Sequence, residues 1–128
     1  MNPDHRRAGL HRERDEISVV SDQVGTPTST VTLAAALWRA AALPSPPAVL
    51  HMSDAGVASW YDFACAIQQG AYDLGQLDNM IDIRAIPSTD YPTAATRPAY
   101  SVLDCTSTVS ELGLIQVPWR TNLSSMLE

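Results

Sequence analysis

The chain alternates between segments with the helical spacing of apolar residues and short apolar runs typical of strands. The first helical segment begins after Thr28 or Ser29, either of which can cap it, and runs to about Ala42. Its apolar positions share one face: Val31, Ala34, Ala35, Trp38, Ala41 and Ala42. The proline-rich residues 43–47 end this helix and make a stiff connection.

A second helical segment spans Trp60 to about Leu74. It follows Ser59-x-x-Asp62, the sequence of a capping box, and Gly75 is its natural C′ residue. Its apolar side consists of Trp60, Phe63, Ala64, Ile67, Ala71 and Leu74. The pattern therefore predicts a helix with well-defined ends and one face toward a core.

Two shorter helices are predicted near the C-terminus. One is capped by Asp104 or Thr106 and stopped by Gly113, and the other opens at Pro118. The last helix should direct four apolar side chains inward: Trp119, Leu123, Met126 and Leu127. Core packing is favoured over ligand stacking for the tryptophans on these helical faces, which are Trp38, Trp60 and Trp119.

Four short strands are predicted at residues 17–20, 48–52, 81–86 and 100–103. The resulting order, β-α-β-α-β-β-α-α, indicates an α/β or mixed α+β lobe with small, short-stranded sheets and about four helices. Such short strands make a thin sheet for a free-standing protein. We therefore expect a lobe that leans on another domain, with apolar patches exposed when it is alone.

The length and composition fit one globular domain, with 128 residues of which 45% are hydrophobic. Residues 1–11 are polar and aperiodic, so we expect a disordered leader there and the folded lobe over residues 12–128. No apolar run approaches the roughly 18 residues of a membrane span, and the N-terminus lacks the apolar segment of a signal peptide. These features predict a cytoplasmic protein without membrane contact.

The charged residues exclude several kinds of function. All eight basic residues are arginines, and the net charge is −6, so a nucleic-acid partner is not expected. The absence of lysine excludes a Schiff base and a P-loop lysine. The three histidines are scattered and the cysteines, Cys65 and Cys105, lack metal-ligand spacing, so no metal site is predicted and both thiols are expected to be buried.

Two segments are candidates for binding an anionic ligand. The loop from Asp22 to Thr28 leaves a strand and enters a helix, where free backbone N–H groups can meet polar ligand atoms, although an ordinary strand-to-helix turn would have the same sequence. Arg97 precedes Pro98 and lies in an acidic body. Its guanidinium could clamp a phosphate, or it could form a surface salt bridge.

Three segments together resemble one known family: SVVSDQVGTPTS, LHMSDAGVASWYDFACAI and IPSTDYPTAATRPAYSVLDC. They are similar, in order and spacing, to the C-terminal substrate-binding part of the dTDP-4-dehydrorhamnose reductases, the RmlD-like members of the extended short-chain dehydrogenases/reductases. The resemblance covers roughly residues 12–128. Its most specific parts are the D-Q-x-G-x-P-T and R-P-x-x-S-x-L-D patterns.

The resemblance implies NADPH-dependent (or NADH-dependent) reduction of dTDP-4-dehydro-L-rhamnose, with Mg²⁺ used by some relatives. It implies that a dTDP-sugar contacts the following side chains: Arg97, Gln23, Asp22, Thr26 and Tyr100. The family's Rossmann domain, glycine-rich turn and Tyr-x-x-x-Lys pair have no counterpart in this sequence, so we expect no catalytic residues and no activity from the chain alone. Three alternatives to an inactive part of a reductase stay open. The chain could work with a separately encoded Rossmann partner, could have a regulatory role like that of the methionine adenosyltransferase β subunit, or could be a non-functional gene fragment.

Overall fold

The computed structural model describes residues 15–128. The predicted leader, residues 1–11, lies outside these residues, as does the beginning of the predicted lobe. Within the described part of the chain, no helix combines the length and the hydropathy needed to cross a membrane.

Two small sheets form the β-structure of this part of the chain. Strand β1 (Glu16–Val20) pairs in parallel with β4 (Asp82–Ile86), from Glu16 opposite Asp82 to Val20 opposite Ile86. Strand β2 (Val24–Gly25) pairs antiparallel with β3 (Ala58–Ser59). The prediction of small, short-stranded sheets is confirmed. Because β1 and β4 are parallel, the loops that follow them both leave the pair at its carboxyl end.

The first helix, α1 (Thr30–Ala41), begins as predicted at Ser29, whose side chain accepts a hydrogen bond from the Val31 N–H group. Its apolar face is not covered, since Val31 is 76% exposed and Trp38 is 78% exposed. Core packing of Trp38 is therefore a wrong prediction. An exposed apolar patch was expected on this lobe. Helical spacing shows which residues share a face but not what covers that face, so it could not decide whether Trp38 is buried.

The second helix, α2 (Trp60–Asp73), has the predicted capping box. The Ser59 hydroxyl accepts from the Asp62 N–H group at 3.0 Å, and the Asp62 carboxylate accepts from the Ser59 N–H group at 2.8 Å. Gly75 follows the helix with φ of 70°, a left-handed conformation that favours glycine. Helix α2 packs on β1 and β4 and thereby covers one face of the parallel pair.

The C-terminal helices are α3 (Thr106–Leu112) and α4 (Trp119–Leu127). The Asp104 carboxylate accepts from the Thr106 N–H group at 2.9 Å, and Gly113 ends α3 with φ of 57°, as predicted. The core joins α4 to β3 and α2 through the following residues: Ala58, Trp119, Leu123, Phe63, Ala66, Ile67 and Leu127. Met126 was predicted to face inward, but it is 70% exposed. The helix is only nine residues long, and its buried stripe is narrower than the sequence pattern.

Two predicted strands are absent from this structure. Residues 48–52 belong to no ladder, and residues 100–103 contribute only one isolated bridge, between Val24 and Tyr100. An apolar run favours an extended backbone, but a strand also needs a neighbour that supplies hydrogen bonds. Within residues 15–128, no strand lies beside residues 48–52, and residues 100–103 meet the two-residue strand β2 only through that bridge.

A buried polar cluster lies between α1, α3 and α4. Asp54 is 2% exposed, and its Oδ2 accepts hydrogen bonds from the Ser29 N–H group at 3.1 Å and from the Asn122 amide at 2.8 Å. Its Oδ1 is buried without a hydrogen-bond partner among the described residues. Cys105 lies 3.5 Å from the Ser53 hydroxyl and is buried, as predicted; Cys65 is half-buried, and both thiols are free.

Candidate functional site

The loops that follow β1 and β4 are hydrogen-bonded to each other at the carboxyl end of the parallel strand pair. The Asp22 carboxylate accepts from the Ser88 N–H group at 2.9 Å and from the Ser88 hydroxyl at 2.5 Å. These hydrogen bonds, with the hydroxyl as the larger cause, hold the pKa of Asp22 below its ordinary value. Asp22 therefore holds the 3₁₀ turn Ser88–Asp90 against the end of β1.

Gln23 also contacts this turn, because its side-chain Nε2 donates to the Ser88 hydroxyl oxygen at 2.9 Å. This bond fixes one end of the carboxamide. The carboxamide oxygen makes no hydrogen bond within residues 15–128, so it can accept one from a ligand. Gln23 is placed in the structure as a neutral polar group with a fixed orientation.

The segment that carries Arg97 is held beside β2 by backbone hydrogen bonds. The Val24 N–H group donates to the Ala99 carbonyl at 2.8 Å, and the Ser101 N–H group donates to the Val24 carbonyl at 2.8 Å. A Cβ atom on Gly25 would lie 3.0 Å from the Ser101 hydroxyl, so glycine allows this close approach. Tyr100 lies in the segment with 66% exposure, and its side chain does not line the clefts described next.

Two adjoining clefts lie over this edge, with volumes of about 340 Å³ and 430 Å³. The first is lined mainly by the loop after β1 and by the start of α2, and the second by the last three residues of β1 and by Tyr91 and Thr93. The residues that line both clefts are Gln23, Trp60 and Arg97. A hydrogen-bonding amide, an aromatic ring and a guanidinium therefore meet where the clefts join.

Thr26 lines the first cleft, but its hydroxyl is engaged within the protein. It donates to the Gly56 carbonyl at 2.8 Å, and the Thr28 hydroxyl donates to the Thr26 carbonyl at 3.0 Å. These bonds stiffen the loop between β2 and α1. Thr26 thus shapes the cleft wall through its contacts with the neighbouring loop.

Within the candidate site, sequence reasoning placed Trp60 wrongly. It was predicted to pack in the core, but it is 55% exposed and its ring lines both clefts. The structure explains this position, because Trp60 directly follows the helix cap Ser59, which pairs with β2. Trp60 therefore lies beside this short sheet, where its flat aromatic ring is available to a ligand.

Arg97 is exposed and lines both clefts. The ion pair found within residues 15–128 joins Arg84 to Glu16 at 2.7 Å, so no carboxylate in that part of the chain pairs with Arg97. Pro98 restricts the backbone of Arg97 to extended conformations, which reduces the freedom lost when the side chain meets an anion. The described residues also contain no group of three or more metal-binding side chains.

In open α/β sheets, ligands bind outside the carboxyl ends of the parallel strands, and the two clefts of this mixed α/β lobe lie there, which makes it a ligand-binding lobe. The chain belongs to the RmlD substrate binding domain family, whose model matches residues 6–128. This match confirms the family resemblance carried by the three sequence segments.

The relatives agree with this assignment. The chain is 35% identical over 119 residues to the spore coat polysaccharide biosynthesis protein SpsK of Bacillus subtilis, covering 93% of this chain and 39% of that protein. It is 34% identical over 122 residues to the dTDP-4-dehydrorhamnose reductase of Aggregatibacter actinomycetemcomitans, covering 91% and 42%. The chain thus spans about two-fifths of the length of these relatives.

Solved structures show the same fold. A dTDP-4-dehydrorhamnose reductase from Clostridium acetobutylicum matches with a TM-score of 0.78 and 31% identity, over 98% of this chain and 42% of that one. The reductase from Bacillus anthracis, in complex with NADP, matches with a TM-score of 0.77 and 27% identity, over 97% and 41%. The predicted mixed α/β fold class is therefore confirmed.

Two sequence patterns typical of dinucleotide sites do not occur in this chain. The loop into α1 contains the single glycine Gly25, whose missing side chain makes room for Ser101. The sequence contains no lysine and no G-x-G-x-x-G pattern, so neither a Tyr-x-x-x-Lys pair nor a glycine-rich pyrophosphate turn can be built from it. The two clefts offer one cation, the aromatic side chains of Trp60, Phe63 and Tyr91, and neutral hydrogen-bonding groups.

Proposed function

We propose that this chain binds the nucleotide-sugar substrate of a dTDP-4-dehydrorhamnose reductase in the two joined clefts. The observation that carries the proposal is the position of Arg97, which lines both clefts together with Gln23 and Trp60. A planar guanidinium can form two parallel hydrogen bonds to a diphosphate, and an aromatic ring can stack on a base or a sugar face.

The proposal divides the reaction between this chain and the remaining part of the reductase. The chain would hold and orient the dTDP-sugar through Arg97 and Gln23, while Asp22 and Thr26 hold the loops that form the cleft. NADPH would supply hydride when bound by the remaining part, where the catalytic pair would also lie. A cytoplasmic location, and dependence on Mg²⁺, stay predictions.

The test is a calorimetric titration with dTDP-rhamnose. Arg97→Ala should weaken binding by about 1.5–3 kcal/mol, the range for hydrogen bonds to charged groups. Arg97→Lys should recover only part of this, because an ammonium cannot bind a diphosphate in bidentate fashion. The titration is run on the chain alone and on the chain joined to the cofactor-binding part of the Bacillus subtilis relative.

Arg84→Ala is the matched control. Arg84 is also an exposed arginine, but it pairs with Glu16 on β1 and lines neither cleft. Its loss changes the net charge by the same amount, so it should leave the affinity within about twofold, given the screening of distant surface charges. Equal affinity of the wild type and Arg97→Ala, or equal losses in both variants, would refute the role assigned to Arg97.

A further inference from the structure

Ser88 lies just beyond the point where the two parallel strands end. The last paired residues are Val20 and Ile86, and the Ser21 N–H group continues the ladder by donating to the Ile86 carbonyl at 2.9 Å. Ser88 is half-buried and begins the 3₁₀ turn two residues after Ile86. The strand ladder therefore fixes the position of Ser88 relative to the loop after β1.

The hydroxyl proton of Ser88 is donated to Asp22. Ser88 Oγ lies 2.5 Å from the Asp22 carboxylate, a distance typical of a hydroxyl that donates to a charged oxygen. The hydrogen bonds from the Ser88 hydroxyl and N–H group lower the pKa of Asp22, which keeps the carboxylate ionised near neutral pH. An ionised carboxylate only accepts hydrogen bonds, so the single hydroxyl proton of Ser88 points toward Asp22.

This use of the proton determines which end of the Gln23 carboxamide meets Ser88. The Ser88 oxygen has no proton left to donate, so it can only accept a hydrogen bond, and the Gln23 Nε2 atom lies 2.9 Å from it. A carboxamide turned by half a rotation would place its own oxygen beside Ser88 Oγ, with two acceptors in contact and no proton between them. The orientation that keeps the Gln23 oxygen away from Ser88 is therefore the stable one.

The oxygen of the Gln23 carboxamide is the acceptor that this arrangement leaves for a ligand. It makes no hydrogen bond within residues 15–128, and Gln23 lines both clefts together with Arg97. A carbonyl oxygen accepts from N–H and O–H groups, whereas the oxygens of an ionised diphosphate offer no proton. Arg97 and the Gln23 oxygen therefore suit different parts of one ligand, Arg97 the anionic part and Gln23 a part that carries a donor.

We propose that Ser88 is a positioning residue, which fixes the Gln23 carboxamide so that its oxygen accepts a hydrogen bond from an N–H or O–H group of the nucleotide sugar. This inference rests on the proposed function for the identity of the ligand. It adds a specificity element to the same site. An oxygen that is oriented beforehand loses little freedom on binding, and it disfavours a ligand that lacks a donor at that point.

The first experiment is a double-variant cycle, measured by calorimetric titration with dTDP-rhamnose on the chain alone and on the chain joined to the cofactor-binding part of the Bacillus subtilis relative. Gln23→Met keeps the length of the side chain without its polar atoms and should raise Kd by roughly threefold to tenfold. Ser88→Ala should raise Kd by about threefold or more. Because Ser88 acts through Gln23, the double variant should have a Kd within about twofold of that of Gln23→Met.

Two further variants separate positioning from support of the turn. Ser88→Thr keeps the hydroxyl and should restore Kd to within about twofold of the wild type. Thr89→Ala is the matched control, because Thr89 lies next in the same turn and its hydroxyl donates to Asp90 at 3.3 Å, so its loss should change Kd by less than about twofold. Three results would overturn the proposal: losses that multiply in the double variant, equal losses in Ser88→Ala and Thr89→Ala, or no recovery in Ser88→Thr.

Titration with dTDP distinguishes the possible sources of the donor. This ligand carries the thymine N–H group and the deoxyribose hydroxyl but no rhamnose hydroxyls. If Gln23→Met weakens the binding of both ligands, the donor lies on the nucleoside, and if it weakens only the binding of dTDP-rhamnose, the donor lies on the sugar. An unchanged affinity for both ligands would overturn the proposal.

The positioning is also tested without a ligand, by NMR of the Gln23 side-chain amide protons. Their chemical shifts should differ from those of a solvent-exposed glutamine, and Ser88→Ala should move them to the exposed values, whereas Ser88→Thr and Thr89→Ala should not. Unchanged Gln23 signals in Ser88→Ala would overturn the positioning role. A wild-type chain that binds no dTDP-rhamnose would refute the proposed function and the ligand contact of Gln23, while the NMR result would still decide whether Ser88 positions the carboxamide.

Discussion

Removing the buried carboxylate of Asp54 should destabilise the fold by separating α1 from α4. Asp54 Oδ2 accepts from the Ser29 N–H group at the start of α1 and from the Asn122 amide on α4, at 3.1 and 2.8 Å. The Asn122 amide also donates to the Thr32 hydroxyl at 3.1 Å. One oxygen thus connects two helices that otherwise meet through few side chains, and Asp54→Ala breaks both connections.

The size of the effect follows from two opposing contributions. Each hydrogen bond to a charged acceptor contributes about 1.5–3 kcal/mol, while the buried and unpartnered Oδ1 of Asp54 costs free energy in the folded state. Asp54→Ala removes both contributions, so a net loss of about 1–3 kcal/mol is expected. Asn122→Ala removes a donor and leaves the buried charge behind, so it should cost as much or more, about 2–4 kcal/mol.

The assay is urea unfolding of the two single variants and the double variant, followed by tryptophan fluorescence. Because Asn122 acts chiefly through Asp54, the double variant should lose less stability than the sum of the single losses, by about 1 kcal/mol or more. Thr32→Val is the control. It removes the other acceptor of the Asn122 amide and should cost less than about 1 kcal/mol.

Two results would refute this reasoning. Losses that add within about 0.5 kcal/mol would show that Asp54 and Asn122 act independently. An unchanged stability of Asp54→Ala would show that the two hydrogen bonds only offset the cost of burying the carboxylate.

Three other predictions concern helix packing, pH and activity. A Cβ atom on Gly70 would lie 2.6 Å from Leu127 Cδ1, so Gly70→Val should cost about 1–3 kcal/mol in urea unfolding, and Leu127→Ala in the same chain should absorb most of the added cost. The Ser59 N–H group, with a smaller contribution from its hydroxyl, holds the pKa of Asp62 below its ordinary value. Stability from this carboxylate is present above about pH 4 and is lost as the pH falls through the lowered pKa. Asp62→Asn should therefore make the free energy of unfolding less dependent on pH in acid, and an unchanged pH dependence would contradict this. The purified chain should not oxidise NADPH in the presence of dTDP-4-dehydrorhamnose, because it contains no lysine for a Tyr-x-x-x-Lys pair, and turnover followed by nicotinamide absorbance would disprove this.

The features that sequence reasoning predicted well depend on residues close together in the chain. The Ser59 and Asp62 capping box is formed within one helical turn, and the positive φ at Gly75 and Gly113 follows from the position of each glycine after a helix. Such local geometry is determined by the chemistry of a few neighbouring residues. These ends of helices could therefore be placed without knowledge of the tertiary structure.

The features that were missed depend on what lies beside a residue in space. Residues 48–52 have a strand pattern, but whether they form a ladder depends on a neighbour that the pattern does not contain. Trp60 is a large apolar residue on an apolar helical face, as core residues are. Only its position beside β2 makes it part of the cleft. Arg97 and the loop after β1 were separate candidates in the sequence, and the backbone bonds of Val24 bring them together.

The long separation of the cleft's two sides along the chain has a consequence for folding. Asp22 and Ser88 are 66 residues apart, and they follow the two strands, β1 and β4, that pair in parallel. Closing so long a loop costs conformational entropy before the distant contacts stabilise the chain, and this slows folding. During synthesis, the cleft cannot exist until the ribosome has released the second strand and the turn after it. A ligand of this cleft would therefore bind only chains in which β1 and β4 have paired, and would report on that step of folding.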